Sequence, residues 1–124
     1  MKEKVFIGID VSRASFSVAV LPTDECWDIV NSKTDIVALS QRLQGLTPEL
    51  IVLESTGGLE LPLVSELASL GLPVVVVNPR QVRDFAKETG KLAKTDNIDA
   101  YMLAKFGQVI KPKFIHLKMN RLKN

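Results

Sequence analysis

Cysteine and histidine are almost missing from this sequence: Cys26 and His116 are the only ones among 124 residues. One cysteine excludes an internal disulfide and a cysteine-based metal site. One histidine, sitting in a basic C-terminal stretch, leaves Ser12 without a nearby base, so no Ser-His nucleophile is supported. Long apolar runs are missing as well. The longest, LPVVVVNP, has the length of a strand rather than the roughly 20 residues that cross a bilayer. MKEKVF at the start lacks the apolar core of a secretory signal. These absences point to a cytoplasmic protein with no membrane role. There is no internal repeat, low-complexity tract or linker, and a chain of this size with 46% hydrophobic residues can bury one core.

The charge that is present is unevenly placed. Residues 1–79 carry 5 Lys+Arg against 10 Asp+Glu, and residues 80–124 carry 11 against 4, so a net charge of +2 divides into −5 and +7. A basic segment on a more acidic body suits a polyanion-binding surface, although exposed lysines are often only a solvated face.

Hydropathy rhythm gives the architecture. KVFIGID, SFSVAVLP and CWDIVNS read as strands separated by breaks too short for anything but antiparallel neighbours. DIVALSQRLQGL then repeats Ile36, Leu39, Leu43 and Leu46 at helical spacing, with Thr34 and Asp35 as capping candidates. From there strand and helix alternate: ELIVLE, LELPLVSELASLG, LPVVVVNP, and PRQVRDFAKE behind the capping pair Asn78 and Pro79. Alternation of this kind implies parallel crossovers. A last helix is expected from about Thr95 to Ile110. Three antiparallel strands, a helix, then parallel strands and helices is the order of a ribonuclease H-like α/β fold, a mixed five-stranded sheet flanked by helices. In that layout the fourth strand lies parallel to the first and beside it.

Two strands finish on acids. Asp10 ends VFIGID and Glu54 ends LIVLE. A carboxylate at the end of a buried strand is costly unless it is exposed or compensated. Parallel neighbours lie about 4.8 Å apart, close enough for two carboxylates to share a divalent cation. KTDNIDAYMLAKFG adds Asp96 and Asp99, three residues apart. At ~100° per residue, Asp99 shares its direction with Leu103, Phe106 and Ile110, so on this reading it faces inward. Helix capping competes for both residues and accounts better for Asp96 than for Asp99. Four such carboxylates would suit a pair of Mg²⁺ (or Mn²⁺) ions about 3.5–4 Å apart, the geometry of phosphodiester cleavage.

FIGIDVS, LESTGG, VNPRQVRDFAK and KTDNIDAYMLAKFG, in that order between residues 4 and 116, resemble the DEDD-type transposases of bacterial insertion sequences, the family that includes the Piv-type DNA invertases. GID alone also opens sugar kinases and actin-like ATPases; the four ordered blocks are what carry the specificity. The resemblance implies a RuvC-like domain over residues 1–116, with Asp10, Glu54, Asp96 and Asp99 as catalytic and metal-binding residues. It implies metal-dependent DNA cleavage and strand transfer in transposition, DNA as partner, in some members a structured guide RNA, and homo-oligomers of the full-length proteins. Such proteins continue into a helical dimerisation region and a domain with a catalytic serine. HLKMNRLKN departs from that continuation, so residues 117–124 are expected to be a truncated or divergent basic tail.

Arg80, Arg83, Lys91 and Lys94 lie near the acidic segment, where they could contact a nucleic-acid backbone or be ordinary solvated charge. Ser55, Thr56, Gly57 and Gly58 could offer amides to a phosphate, but a strand-to-helix turn needs such residues in any case. Trp27 and Tyr101 read as packing residues. The alternative to a catalytic domain is a non-catalytic nucleic-acid-binding fragment; a sugar-kinase fragment would leave Asp96 and Asp99 unexplained.

Overall fold

The computed structural model describes residues 3–88 and 99–112. Strands β1 (Phe6–Val11), β2 (Ser15–Leu21) and β3 (Glu25–Val30) precede helix α1 (Lys33–Gly45). β4 (Leu50–Glu54), α2 (Leu61–Ser69), β5 (Val74–Val77), α3 (Pro79–Glu88) and α4 (Ala100–Ile110) follow. The strands form one sheet in the order β3-β2-β1-β4-β5. β1 pairs antiparallel with β2 and parallel with β4, β2 pairs antiparallel with β3, and β4 pairs parallel with β5. The ribonuclease H-like layout expected from the sequence is therefore the one observed.

Period-two alternation assigns each strand residue to a face. Ile7, Ile9, Val11, Val18, Ile51 and Leu53 point to the side covered by α1 and α2, meeting Leu39, Leu43, Leu63 and Leu67. Phe6, Leu50, Val52, Val75 and Val77 point to the other side, where Val82 and Ala86 of α3 and Met102, Leu103 and Phe106 of α4 cover them. Two apolar layers thus sandwich the sheet. Phe85 and Phe106 stack edge to face, with centroids 5.5 Å apart, and join α3 to α4.

Local chemistry fixes the helix starts. α1 begins two to three residues earlier than Thr34 and Asp35 suggest: Ser32 is the cap, its hydroxyl accepting from the Asp35 amide (3.2 Å) and donating to the Asp35 carboxylate (2.8 Å). α3 starts as expected, with Asn78 Oδ1 accepting from the Arg80 amide at 2.8 Å ahead of Pro79. α4 differs more. It starts at Ala100 with Asp99 as its cap, in extended backbone (φ −111, ψ 178), not inside a helix running from Thr95. Asp99 is consequently exposed and not on the inward stripe, and Ile110 is half exposed at the far end. The physical cause is packing. A Cβ on Gly8 would collide with the backbone O of Ala100 and the backbone N of Ala104, and would lie 2.9 Å from Leu103 Cβ. Only a glycine in β1 lets the first turns of α4 lie directly on the strand.

Candidate functional site

Asp10 is the penultimate residue of β1 and Glu54 the last of β4. The parallel ladder runs from Phe6 opposite Leu50 to Ile9 opposite Leu53, and one further step along it sets Asp10 abreast of Glu54. No strand intervenes. Both residues alternate onto the face covered by α3 and α4, since Ile9 and Leu53 before them belong to the opposite layer. Each is half-buried.

The third acid comes from a helix end. Asp99 Oδ1 accepts from the Met102 amide at 2.9 Å, so the residue caps α4 while standing beside the strand on which that helix rests. Capping and nearness to Asp10 are compatible, because Gly8 presses the start of α4 against β1 two residues before Asp10. Asp96, Lys91 and Lys94 lie outside the described residues.

Electrostatics tie the described acids together. Burial first, and then the negative charge of Asp99, raise the Asp10 carboxyl above its ordinary value of 3.8. Burial and then the charge of Asp10 raise Glu54 above 4.5, and the guanidinium of Arg83, reaching from α3, partly reverses that. Arg83 is half-buried and electrostatically engaged with Glu54, while Arg80 is exposed. Among the described residues no three His, Cys, Asp or Glu side chains stand close enough together to hold a metal ion. The described acids are coupled without closing a three-ligand cage.

An all-carboxylate donor set at two strand ends and a helix start fits a hard divalent cation such as Mg²⁺ or Mn²⁺ better than a thiophilic metal. Asp10 and Glu54, abreast on adjacent strands, are the described pair that would hold it, with Asp99 at the start of α4 coupled to Asp10 through its charge. Beside them a cavity of about 300 Å³ opens over the β2–β3 part of the same face, lined by Ser17, Asp28, Asp99 and Tyr101 among others. Tyr101 is 45% exposed and lines this opening, so it is not the packing residue the sequence suggested. Trp27 does pack, half-buried against the α1–α2 side, with the Arg42 guanidinium 3.8 Å from its ring centre.

One residue that the sequence reading passed over is Glu60, buried at the start of α2 with its carboxylate turned back into the loop that follows Glu54. It occupies the amides of Thr56 and Gly58, which is why that loop is a turn and not a phosphate cradle. A glutamate two residues past a Gly-Gly pair was the signal available. Among the described residues no helix is long and apolar enough to cross a membrane.

Solved structures share the architecture. T. thermophilus RuvC in complex with a Holliday junction substrate superposes with a TM-score of 0.59 at 17% identity, over 91% of this chain and 100% of that one. A ROK hexokinase from Thermus thermophilus matches with a TM-score of 0.50 at 18% identity, over 74% of this chain and 39% of that one. At such identities the likeness is one of fold. In sequence, the chain is 30% identical over 111 residues to the pilin gene-inverting protein of Moraxella lacunata, a stretch that is 84% of this chain and 34% of that protein. The chain thus spans about a third of the length of this relative. A family model for transposases of the DEDD, IS110 type matches residues 7–121, and with most of the chain inside that match, the protein belongs to the IS110-type DEDD transposase family.

Proposed function

We propose that residues 1–116 form the catalytic N-terminal domain of an insertion-sequence transposase or site-specific DNA recombinase, in which Asp10, Glu54, Asp96 and Asp99 bind Mg²⁺ or Mn²⁺ for cleavage and transfer of DNA strands. The observation that carries this reading is the placement of Asp10 and Glu54 on adjacent parallel strands, on one face, where burial raises both carboxyls and the charges of Asp99 and Asp10 raise Asp10 and Glu54 in turn. Carboxylates crowded together at a sheet end, each raised by burial and by a neighbouring acid, are poised for a cation. When bound, divalent ions supply activation of an attacking oxygen and stabilisation of a leaving one in phosphodiester chemistry.

The chain's own residues do the rest. Asp10 and Glu54 anchor from the rigid sheet, and Asp99 is brought in by a helix whose approach depends on Gly8. Arg83 offsets part of the acidic field at Glu54, and contact of Arg80, Arg83, Lys91 and Lys94 with a DNA phosphate is part of the same proposal. A DNA partner follows from the family and from the Holliday junction bound by the RuvC neighbour. A guide RNA and a homo-oligomer belong to the same proposal through the resemblance to full-length relatives.

A second reading, a nucleic-acid-binding domain without catalysis, is favoured by the lack of a closed three-ligand group among the described residues. Incubating the chain with branched or supercoiled DNA, with Mg²⁺ or Mn²⁺ and with chelator, separates the two. Metal-dependent nicking that Asp10→Asn abolishes supports the catalytic domain. DNA binding without metal-dependent nicking supports the second reading and overturns the first.

A further inference from the structure

Glu60 is 6% exposed, yet its carboxylate is held charged. Its Oε1 accepts from the Thr56 amide (3.1 Å), the Thr56 hydroxyl (3.0 Å) and the Gly58 amide (3.2 Å). Burial opposes the charge, but these hydrogen bonds and its own amide outweigh burial and hold the carboxyl below 4.5. The loop it grips is conformationally demanding, with Gly57 at φ 72 and Gly58 at φ 103, where residues with a side chain are strained. Its other side is tied to β5, because the Ser55 amide donates to the Val77 carbonyl at 3.0 Å. The five residues that leave Glu54 are therefore clamped from both flanks.

A strand-to-helix turn does not need a buried charge. Polar residues facing water would close it at lower cost, since a carboxylate taken out of solvent is expensive even when well bonded. What the buried carboxylate adds is a fixed exit for the chain directly after Glu54. We propose that Glu60 is a positioning residue for Glu54: by holding the Ser55–Leu59 turn from inside, it sets where the Glu54 carboxylate stands relative to Asp10. This inference rests on the metal-binding reading of Asp10 and Glu54.

Mn²⁺ titration of the 124-residue chain, followed by loss of the free-ion paramagnetic resonance signal, tests it in wild type, Glu60→Ala and Glu60→Gln, with amide exchange at Thr56 and Gly58 measured alongside. Glu60→Ala is expected to weaken Mn²⁺ binding about tenfold, as loss of a supporting residue around a metal site does, and to speed exchange at both amides. Glu60→Gln keeps a carbonyl acceptor at nearly the same place, so it should recover part of both; if Glu60→Ala does not fold, the weaker but measurable loss in Glu60→Gln carries the test. Lower thermal stability with wild-type Mn²⁺ affinity in the folded variants would show a merely structural residue and overturn the inference. If wild type itself takes up no Mn²⁺, the metal reading fails instead, and unchanged exchange at Thr56 and Gly58 is then the result that removes the clamp as well.

Discussion

Asp99 carries two duties that different substitutions can pull apart. As cap of α4 it accepts one hydrogen bond, 2.9 Å from the Met102 amide, and as a charge it raises the neighbouring Asp10. Asparagine caps helices as well as aspartate does, so Asp99→Asn keeps the hydrogen bond and removes the charge. Removing it loses an interaction with the helix dipole of about 0.3–1 kcal/mol and gains relief of the repulsion with Asp10. These effects oppose each other, and metal-free stability should stay close to wild type. Asp99→Ala loses the cap as well, about 1 kcal/mol, which for a domain of this size lowers the melting temperature by about 3–6 °C. If Asp99 is a metal ligand, both variants should lose most of the stabilisation that Mg²⁺ or Mn²⁺ gives wild type, because an amide is a poor ligand for a hard cation. Thermal melts of the three proteins, with chelator and across a metal series, read both quantities. Asp99→Asn with an undiminished metal-induced shift would refute the ligand role. Asp99→Asn melting as low as Asp99→Ala would refute the separation of cap from charge.

The pH dependence of stability should have two opposite components. Asp10 and Glu54 are raised in the folded state, so their contribution is full below 3.8 and 4.5 and is lost as pH rises through their folded values; denaturant midpoints of Asp10→Asn should exceed wild type at pH 7, with the gap closing towards pH 4. Glu60 is lowered, so its contribution is present above 4.5 and lost as pH falls through its folded value; Glu60→Gln should fall below wild type at pH 7 and approach it in acid, and a gap independent of pH in either variant would contradict the assigned shifts. Gly8→Ala should cost about 3 kcal/mol, the upper part of the overpacking range, because its Cβ meets backbone that cannot rotate away. Gly107→Ala should cost less than Gly8→Ala but still destabilise in the same denaturation assay, since its Cβ falls 2.7 Å from a methyl of the fully buried, χ1-stiff Val52, and the gain of about 1 kcal/mol in helix propensity offsets only part of that overpacking.

The fold was legible because its signals are local and repeated. Period-two runs, helical spacing and the switch from short to long connections each pointed to one topology, and Ile36, Leu39 and Leu43 are buried where their spacing put them. Helix starts were less legible, since a cap is one hydrogen bond and several residues compete to make it. Ser32 won over Thr34 because its hydroxyl can engage Asp35 through both the amide and the carboxylate. For α4, two aspartates three apart competed for the start, capping favoured Asp96 on the sequence, and the observed cap is Asp99, a choice made outside the segment altogether. Gly8, more than 90 residues away, accepts the backbone at Ala100 and Ala104. A close backbone approach leaves no periodic trace in either partner.

The same asymmetry governs the site. Asp10 and Glu54 could be found because strand order is a consequence of topology, and topology is written in the lengths of connections. Asp99 could be found as a residue but not as a geometry, since counting ~100° per residue assumes that the helix already includes it. Being the cap of α4 does not keep Asp99 away from Asp10. An N-cap side chain turns back over the end of its own helix, and a helix seated on β1 therefore brings its cap to that strand. For this chain the capping hydrogen bond to Met102 is the means by which Asp99 comes near Asp10, and the glycine that permits the seating is as much a determinant of the site as the acids are.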